Sequence, residues 1–217
     1  MDEIHHPYAI EVHNMTHQFG SEIVLRQVNA RFAAGQIHGI VGRNGSGKTV
    51  LMKCILGFLR PTQGYAVVFG RQIGKDCHFA PDTGMMIEAP GFIPSENGFN
   101  NLKWLMGLRA KADRSHIEQI MRIVGLDPIS RKIVGKYSVG MRQRLGIAQA
   151  IMEEPKLLVL DEPLNGLDNR GVVDMHQLFK DLRDQGMTIL MASHNPLDIA
   201  VLCDTVSEMD AGVLTRK

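Results

Sequence analysis

Two kinds of hydrophobic pattern run along this chain. From Gln27 to Phe32 polar and apolar residues alternate one for one, the period of a strand with one wet face. Tyr65-Ala66-Val67-Val68-Phe69, closed by Gly70, reads as a second strand of the same small antiparallel sheet. The runs Ile37 to Val41, Leu157 to Leu160 and Thr188 to Ala192 are short and apolar instead, as strands covered on both faces of a parallel sheet should be. Helical spacing appears in Val50 to Phe58, in Leu102, Leu105, Met106 and Arg109, and in Ile117, Ile120, Met121 and Val124. The stretch Asn97 to Met152 therefore reads as a helical insertion, punctuated by Pro128, Gly125 and Gly135, with Pro90, Gly91 and Pro94 just ahead of it. The methionines, Met85 and Met86 among them, and Trp104 read as packing residues.

Composition narrows the picture. A chain of 217 residues with 44% hydrophobic and 22% charged residues fits one folded domain. Lys and Arg total 24 against 23 Asp and Glu, so no global basic field exists to hold nucleic acid or an anionic bilayer. No apolar run approaches the roughly 20 residues that a membrane span requires. The start, Met1-Asp2-Glu3-Ile4-His5-His6, carries an acidic pair where a signal peptide would be positive, and a cytoplasmic location is expected. Cys54, Cys77 and Cys203 are odd in number and far apart, which fits reduced packing thiols better than a zinc site. His13 and His17 fall in an expected strand, where a spacing of four does not aim both rings at one ion.

One motif carries the chemistry. Gly42-Arg43-Asn44-Gly45-Ser46-Gly47-Lys48-Thr49 matches G-x-x-x-x-G-K-[ST] between an expected strand and an expected helix. Its glycines let backbone N–H groups turn toward phosphate oxygens, and the helix points its positive end at the same charge. Lys48 reaches the terminal phosphates, and the Thr49 hydroxyl suits Mg²⁺. A second hard oxygen ligand is then needed at a strand end. The run Leu157 to Leu160 supplies it in Asp161, followed by Glu162, where a base can poise water.

These residues resemble the nucleotide-binding subunit of ATP-binding cassette (ABC) transporters from about Tyr8 to Leu214. Ser138-Val139-Gly140-Met141-Arg142-Gln143-Arg144 stands where that family carries LSGGQ, with Val139 in place of a glycine and Met141 in place of the glutamine. Ser138 suits an N-cap for a helix starting at Val139. Asn165-Gly166-Leu167-Asp168 resembles the D-loop, and His194, after Ser193, the switch histidine. Phe19 takes the place of the aromatic residue that stacks on adenine, and Glu88 stands where the Q-loop usually has Gln.

The resemblance implies an α/β fold: a P-loop NTPase (RecA-like) core with a mostly parallel sheet, a small antiparallel β-subdomain and an inserted helical subdomain. Residues 8–35 and 62–80 would form the β-subdomain, 36–61 and 153–217 the catalytic core, and 91–152 the helical subdomain of a single domain spanning 8–217. It implies ATP and Mg²⁺ as ligands. Phe19, Gly42 to Thr49, Ser138, Gly140 and Asp168 would bind nucleotide, Thr49, Asp161 and Glu88 the metal, and Glu162, His194 and Lys48 would be catalytic. In the family the signature closes over the nucleotide of an opposite subunit, so a homodimer or heterodimer is expected, attached to the inner face of the membrane through separate permease subunits. Phe92, Ile93 or Phe99 would receive a permease helix. Glu88, the segment from Pro90 to Pro94 and the start of the signature resemble the bacitracin and lantibiotic-immunity branch, which exports peptides or drugs. A soluble ABC-type ATPase acting on DNA or ribosomes is the alternative, although the chain lacks heptads and a second P-loop.

Overall fold

In the computed structural model, which describes residues 7–88, 91–108 and 112–217, the two hydrophobic patterns become two different sheets. The readings that fall on Met1 to His6, Pro90 and Arg109 lie outside the described residues. The chain opens with β1 (Tyr8–Phe19) and β2 (Glu22–Ala33), then β3 (Ile37–Val41), α1 (Lys48–Leu56), β4 (Gln63–Val68), β5 (Arg71–Gln72) and β6 (Thr83–Met86). Three helices follow, α2 (Gly98–Met106), α3 (Arg114–Ile123) and, after a 3₁₀ turn at Val134–Lys136, α4 (Val139–Ile151). The chain closes with β7 (Leu157–Asp161), α5 (Asn169–Asp184), β8 (Thr188–Ala192), α6 (Pro196–Leu202), β9 (Thr205–Asp210) and β10 (Val213–Arg216).

The alternating strands pair antiparallel in the order β2-β1-β4-β5. The apolar strands lie in a six-stranded sheet, β10-β9-β3-β8-β7-β6, parallel except for the edge strand β10. Both faces of that sheet are covered, and its residues alternate between two cores. Leu158, Leu160, Ile189 and Met191 face a core shared with α2 to α6, whereas Leu157, Val159, Leu190 and Ala192 face α1 and the antiparallel sheet. This double burial is why the strands read as apolar runs. Among the described residues no helix is long and apolar enough to cross a membrane.

The helix expected over Val50 to Phe58 starts earlier, at Lys48 inside the motif, and stops at Gly57, which takes a left-handed conformation at φ 90°. Trp104 corrects the packing expectation: its side chain is 65% exposed, and Met85 is 36% exposed, while Met86 is buried. Leu102 and Met106, four apart, hold the inner face of α2, and Trp104, midway between them, is turned to solvent. Burial pushes the thiols of Cys54 and Cys203 up to about 12, with Asp204 and Asp198 adding to the effect at Cys203, so both behave as packing residues.

One buried polar side chain interrupts the first core strand. His38 is 1% exposed; its Nδ1 lies 2.6 Å from Thr205 Oγ1 and its Nε2 2.8 Å from the Ala33 carbonyl. Desolvation lowers its pKa below the usual 6.5, with the nearby Arg216 charge acting the same way against the raising effects of the Ala33 carbonyl and Asp204. The folded chain therefore binds fewer protons than the unfolded chain just below pH 6.5, and stability falls as the pH drops through that value. Replacing His38 with Gln, which can serve both partners without titrating, should make the fall in Tm between pH 7.5 and 5.5 smaller than in the wild type. Thermal melts followed by circular dichroism at the two pH values measure it.

Candidate functional site

The carboxyl ends of β3 and β7 open on one cleft, of 780 Å³, bordered by Phe19, residues 44–50, Glu88, Asp161, Glu162 and Asn165. The motif residues wrap the start of α1. Of the six α-helices described, α2 to α6 are each capped at the N-terminus by a side chain, Asn97, Asp113, Ser138, Asp168 or Asn195. Helix α1 has Gly47 at its cap and no side-chain acceptor, so its first N–H groups are left for an anion. Gly42 makes room for the loop, because a β-carbon there would overlap the Met209 carbonyl. Ser46 Oγ is buried without a hydrogen-bond partner, a polar group oriented within the same loop. Lys48 is buried, and its Nζ donates to the carbonyls of Gly42 (2.7 Å) and Arg43 (3.2 Å), which places the ammonium across the loop. A free helix end, a lysine and a glycine-rich turn are together suited to polyphosphate.

Across the cleft, Thr49 Oγ1 donates to Asp161 Oδ2 at 2.5 Å, joining positions 112 residues apart. Two hard oxygen donors side by side fit a small divalent cation such as Mg²⁺, which takes one or two protein ligands and completes its shell with phosphate and water. Among the described residues no group of three His, Cys, Asp or Glu is arranged to hold a metal ion.

The residue after Asp161 is held in an unusual backbone state. Glu162 has φ 51°, a left-handed conformation that costs a non-glycine residue of order 1–3 kcal/mol. Its N–H donates to the Ala192 carbonyl at 2.9 Å, and its carbonyl accepts from Asn165 N (3.2 Å) and Gln143 Nε2 (2.8 Å). The twist turns its side chain to β8, where Oε2 lies 2.8 Å from His194 Nδ1 and accepts from the His194 N–H at 3.4 Å. A carboxylate and an imidazole in contact at the edge of the cleft are equipped to orient and deprotonate water.

Phe19 stands at the rim, 51% exposed, its ring 4.6 Å from that of His17 in an edge-on arrangement. It is a presented ring and not a core residue. Glu88, also left-handed at φ 62°, borders the cleft, but its Oε1 accepts from Lys53 Nζ at 2.6 Å. The expected signature residues divide. Ser138 caps α4 by accepting from the Met141 N–H at 3.2 Å, as the sequence indicates, yet Val139 and Gln143, not Ser138 or Gly140, border this chain's own cleft. Asp168 lies outside it and caps α5, accepting from the Gly171 N–H at 2.8 Å. Asn165, named in the sequence only as part of the D-loop-like run, borders the cleft, and Lys53 was missed in the sequence, where nothing in its local spacing marks it.

The ion pair between Lys53 and Glu88 joins α1 to the segment leading into the helices, with side chains 28% and 64% exposed. Exposure on the glutamate side limits its worth to about 0.2–1 kcal/mol. A double-mutant cycle of Lys53→Met and Glu88→Gln, read by urea unfolding at low salt, should give a coupling in that range that vanishes in about 1 M NaCl.

The ABC transporter family matches residues 25–165. The bacitracin transport ATP-binding protein BcrA of Enterococcus faecalis is 40% identical over 212 residues, covering 97% of this chain and 69% of that protein. The lantibiotic transport ATP-binding protein SrtF of Streptococcus pyogenes is 31% identical, covering 91% of this chain and 85% of that protein. Among solved structures, the dimeric structure of MJ0796, a bacterial ABC transporter cassette, superposes with a TM-score of 0.85 at 21% identity, covering 94% of this chain and 96% of that one.

Proposed function

This chain belongs to the ABC transporter family as an ATP-binding, ATP-hydrolysing subunit, and we propose on that premise that two such subunits, identical or different, close around two ATP molecules to drive separate membrane permease subunits. The observation that carries the reading is the convergence on one cleft of the uncapped start of α1, the Thr49–Asp161 pair and the Glu162–His194 pair. Each pair joins segments distant in the sequence. The relatives named for bacitracin and lantibiotic transport point to an antimicrobial peptide or drug as cargo, moved outward. The chain then acts on the inner face of the membrane.

Phosphoryl transfer asks little covalent chemistry of a protein, so catalysis here is positioning and charge neutralisation. The N–H groups of residues 42–49 and the Lys48 ammonium hold the phosphates, and Phe19 offers its ring to the base. Thr49 and Asp161 would hold Mg²⁺, with Glu88 joining once it leaves Lys53; the ion supplies positive charge to the phosphate oxygens. Glu162 accepts a proton from water, and His194 fixes the carboxylate through the contact between them. Ser138 and Gly140, away from their own chain's cleft, would roof the partner's nucleotide, and Asp168 caps the helix that follows the adjoining turn. The helical segment 91–152 would transmit closure to the permease. A groove of 240 Å³ between α1, β6 and α4, lined by Lys53, Phe58, Met85 and Gln149 among others, is the docking place. Ile93 nearby is exposed, whereas Phe92 and Phe99 are partly buried against the core.

Glu162→Gln should retain ATP binding, lose at least about a hundredfold in kcat, and elute as a dimer with MgATP but as a monomer without it. A variant that turns over at the wild-type rate, or stays monomeric with ATP, refutes the reading. Glu88→Ala should lower the Mg²⁺-dependent ATPase rate more than Glu88→Gln, which keeps an oxygen donor; wild-type rates in both would remove Glu88 from the metal set.

A further inference from the structure

Glu162 is held by its neighbours on two sides, and one of them belongs to a different part of the fold. Gln143 lies on the second turn of α4, partly buried, and its Nε2 donates at 2.8 Å to the Glu162 carbonyl. The Glu162 N–H is fixed to Ala192 at the end of β8. These two bonds grip the residue before and after its Cα, where φ is 51°, and so determine the direction in which the carboxylate leaves the backbone. The start of the same helix touches the same segment again four residues on. Gly140 lies under the Gly166 carbonyl, and a β-carbon on Gly166 would run into the Val139 side chain, 2.5 Å from its Cγ1. The first two turns of α4 are thus fitted to residues 162–166 at both ends, by a hydrogen bond at Glu162 and by close packing at Gly166.

We propose that Gln143 is a positioning residue for the hydrolytic reaction: it sets the Glu162 carboxylate, so that the helix whose capped start roofs a partner's nucleotide also aligns the base of its own site. This rests on the dimeric reading given above. A shift of α4 on closure is delivered through the Gln143 amide to the Glu162 peptide. Without that donor the Glu162 carbonyl keeps its bond from Asn165 N, the fold survives, and the carboxylate loses its fixed relation to His194.

Two substitutions separate positioning from structural support. Gln143→Met has nearly the same shape and no donor. Gln143→Glu presents a repelling carboxylate when ionised and an O–H donor when protonated. In Gln143→Met, kcat should fall about tenfold with KM for ATP and Tm near the wild-type values, the pattern of an interaction needed only in the transition state. In Gln143→Glu, the ratio of kcat to that of the wild type should rise as the pH is lowered from 8 to 5.5, while the same ratio for Gln143→Met stays flat. Placed in the Glu162→Gln background, Gln143→Met should still dimerise with MgATP. A kcat within twofold of wild type in Gln143→Met, a flat ratio in Gln143→Glu, or a loss of rate matched by equal losses of affinity and Tm would each overturn the proposal. Failure of Glu162→Gln alone to dimerise would instead strike the dimeric reading, which makes the two failures distinguishable.

Discussion

Everything in this molecule depends on three five-residue strands that have no wet face. Strands β3, β7 and β8 bury alternate side chains in opposite cores, run parallel to one another, and so leave the sheet at the same edge. Parallel pairing sends the intervening chain back around the sheet before the next strand begins. Residues far apart in sequence, Thr49, Asp161 and His194, then emerge side by side with no specific attraction between them being required. The cleft follows from the sheet, as ligand sites in such sheets generally do.

What the edge assembles is a deliberate imbalance of charge. One wall presents the open end of a helix and a lysine satisfied only by backbone carbonyls, and the other presents two consecutive carboxylates, one on a hydroxyl and one on an imidazole. A triphosphate with its cation fits between walls of this kind, negative phosphate against the first and metal against the second. The left-handed state of Glu162 is the local cost of aiming consecutive residues at different tasks, since adjacent side chains of a continuing strand would diverge to opposite faces.

The legible parts of the sequence were those under the simplest physical constraint. The double burial of β3 and β8 gave their limits residue for residue, the glycine and lysine spacing located the phosphate loop, and a serine ahead of a helix marked the start of α4. Strand β6, four residues at the edge of the sheet, and strands β9 and β10 carry too little pattern to be distinguished from turns. Trp104, expected as a packing residue, is exposed; its place between Leu102 and Met106 decides its side of the helix. The partnership of Lys53 with Glu88, like that of Gln143 with the carbonyl of Glu162, was invisible for another reason. Each is a contact between segments whose proximity exists only after the sheet has formed.

The contact of Val139 with Gly166 adds to a limit already set by the backbone. Gly166 is left-handed at φ 75°, so any other residue there would be strained whatever its neighbours, and a β-carbon would also meet the Val139 side chain. Shortening Val139 would relieve the second obstacle and leave the first, so conformation before packing reserves this turn for glycine.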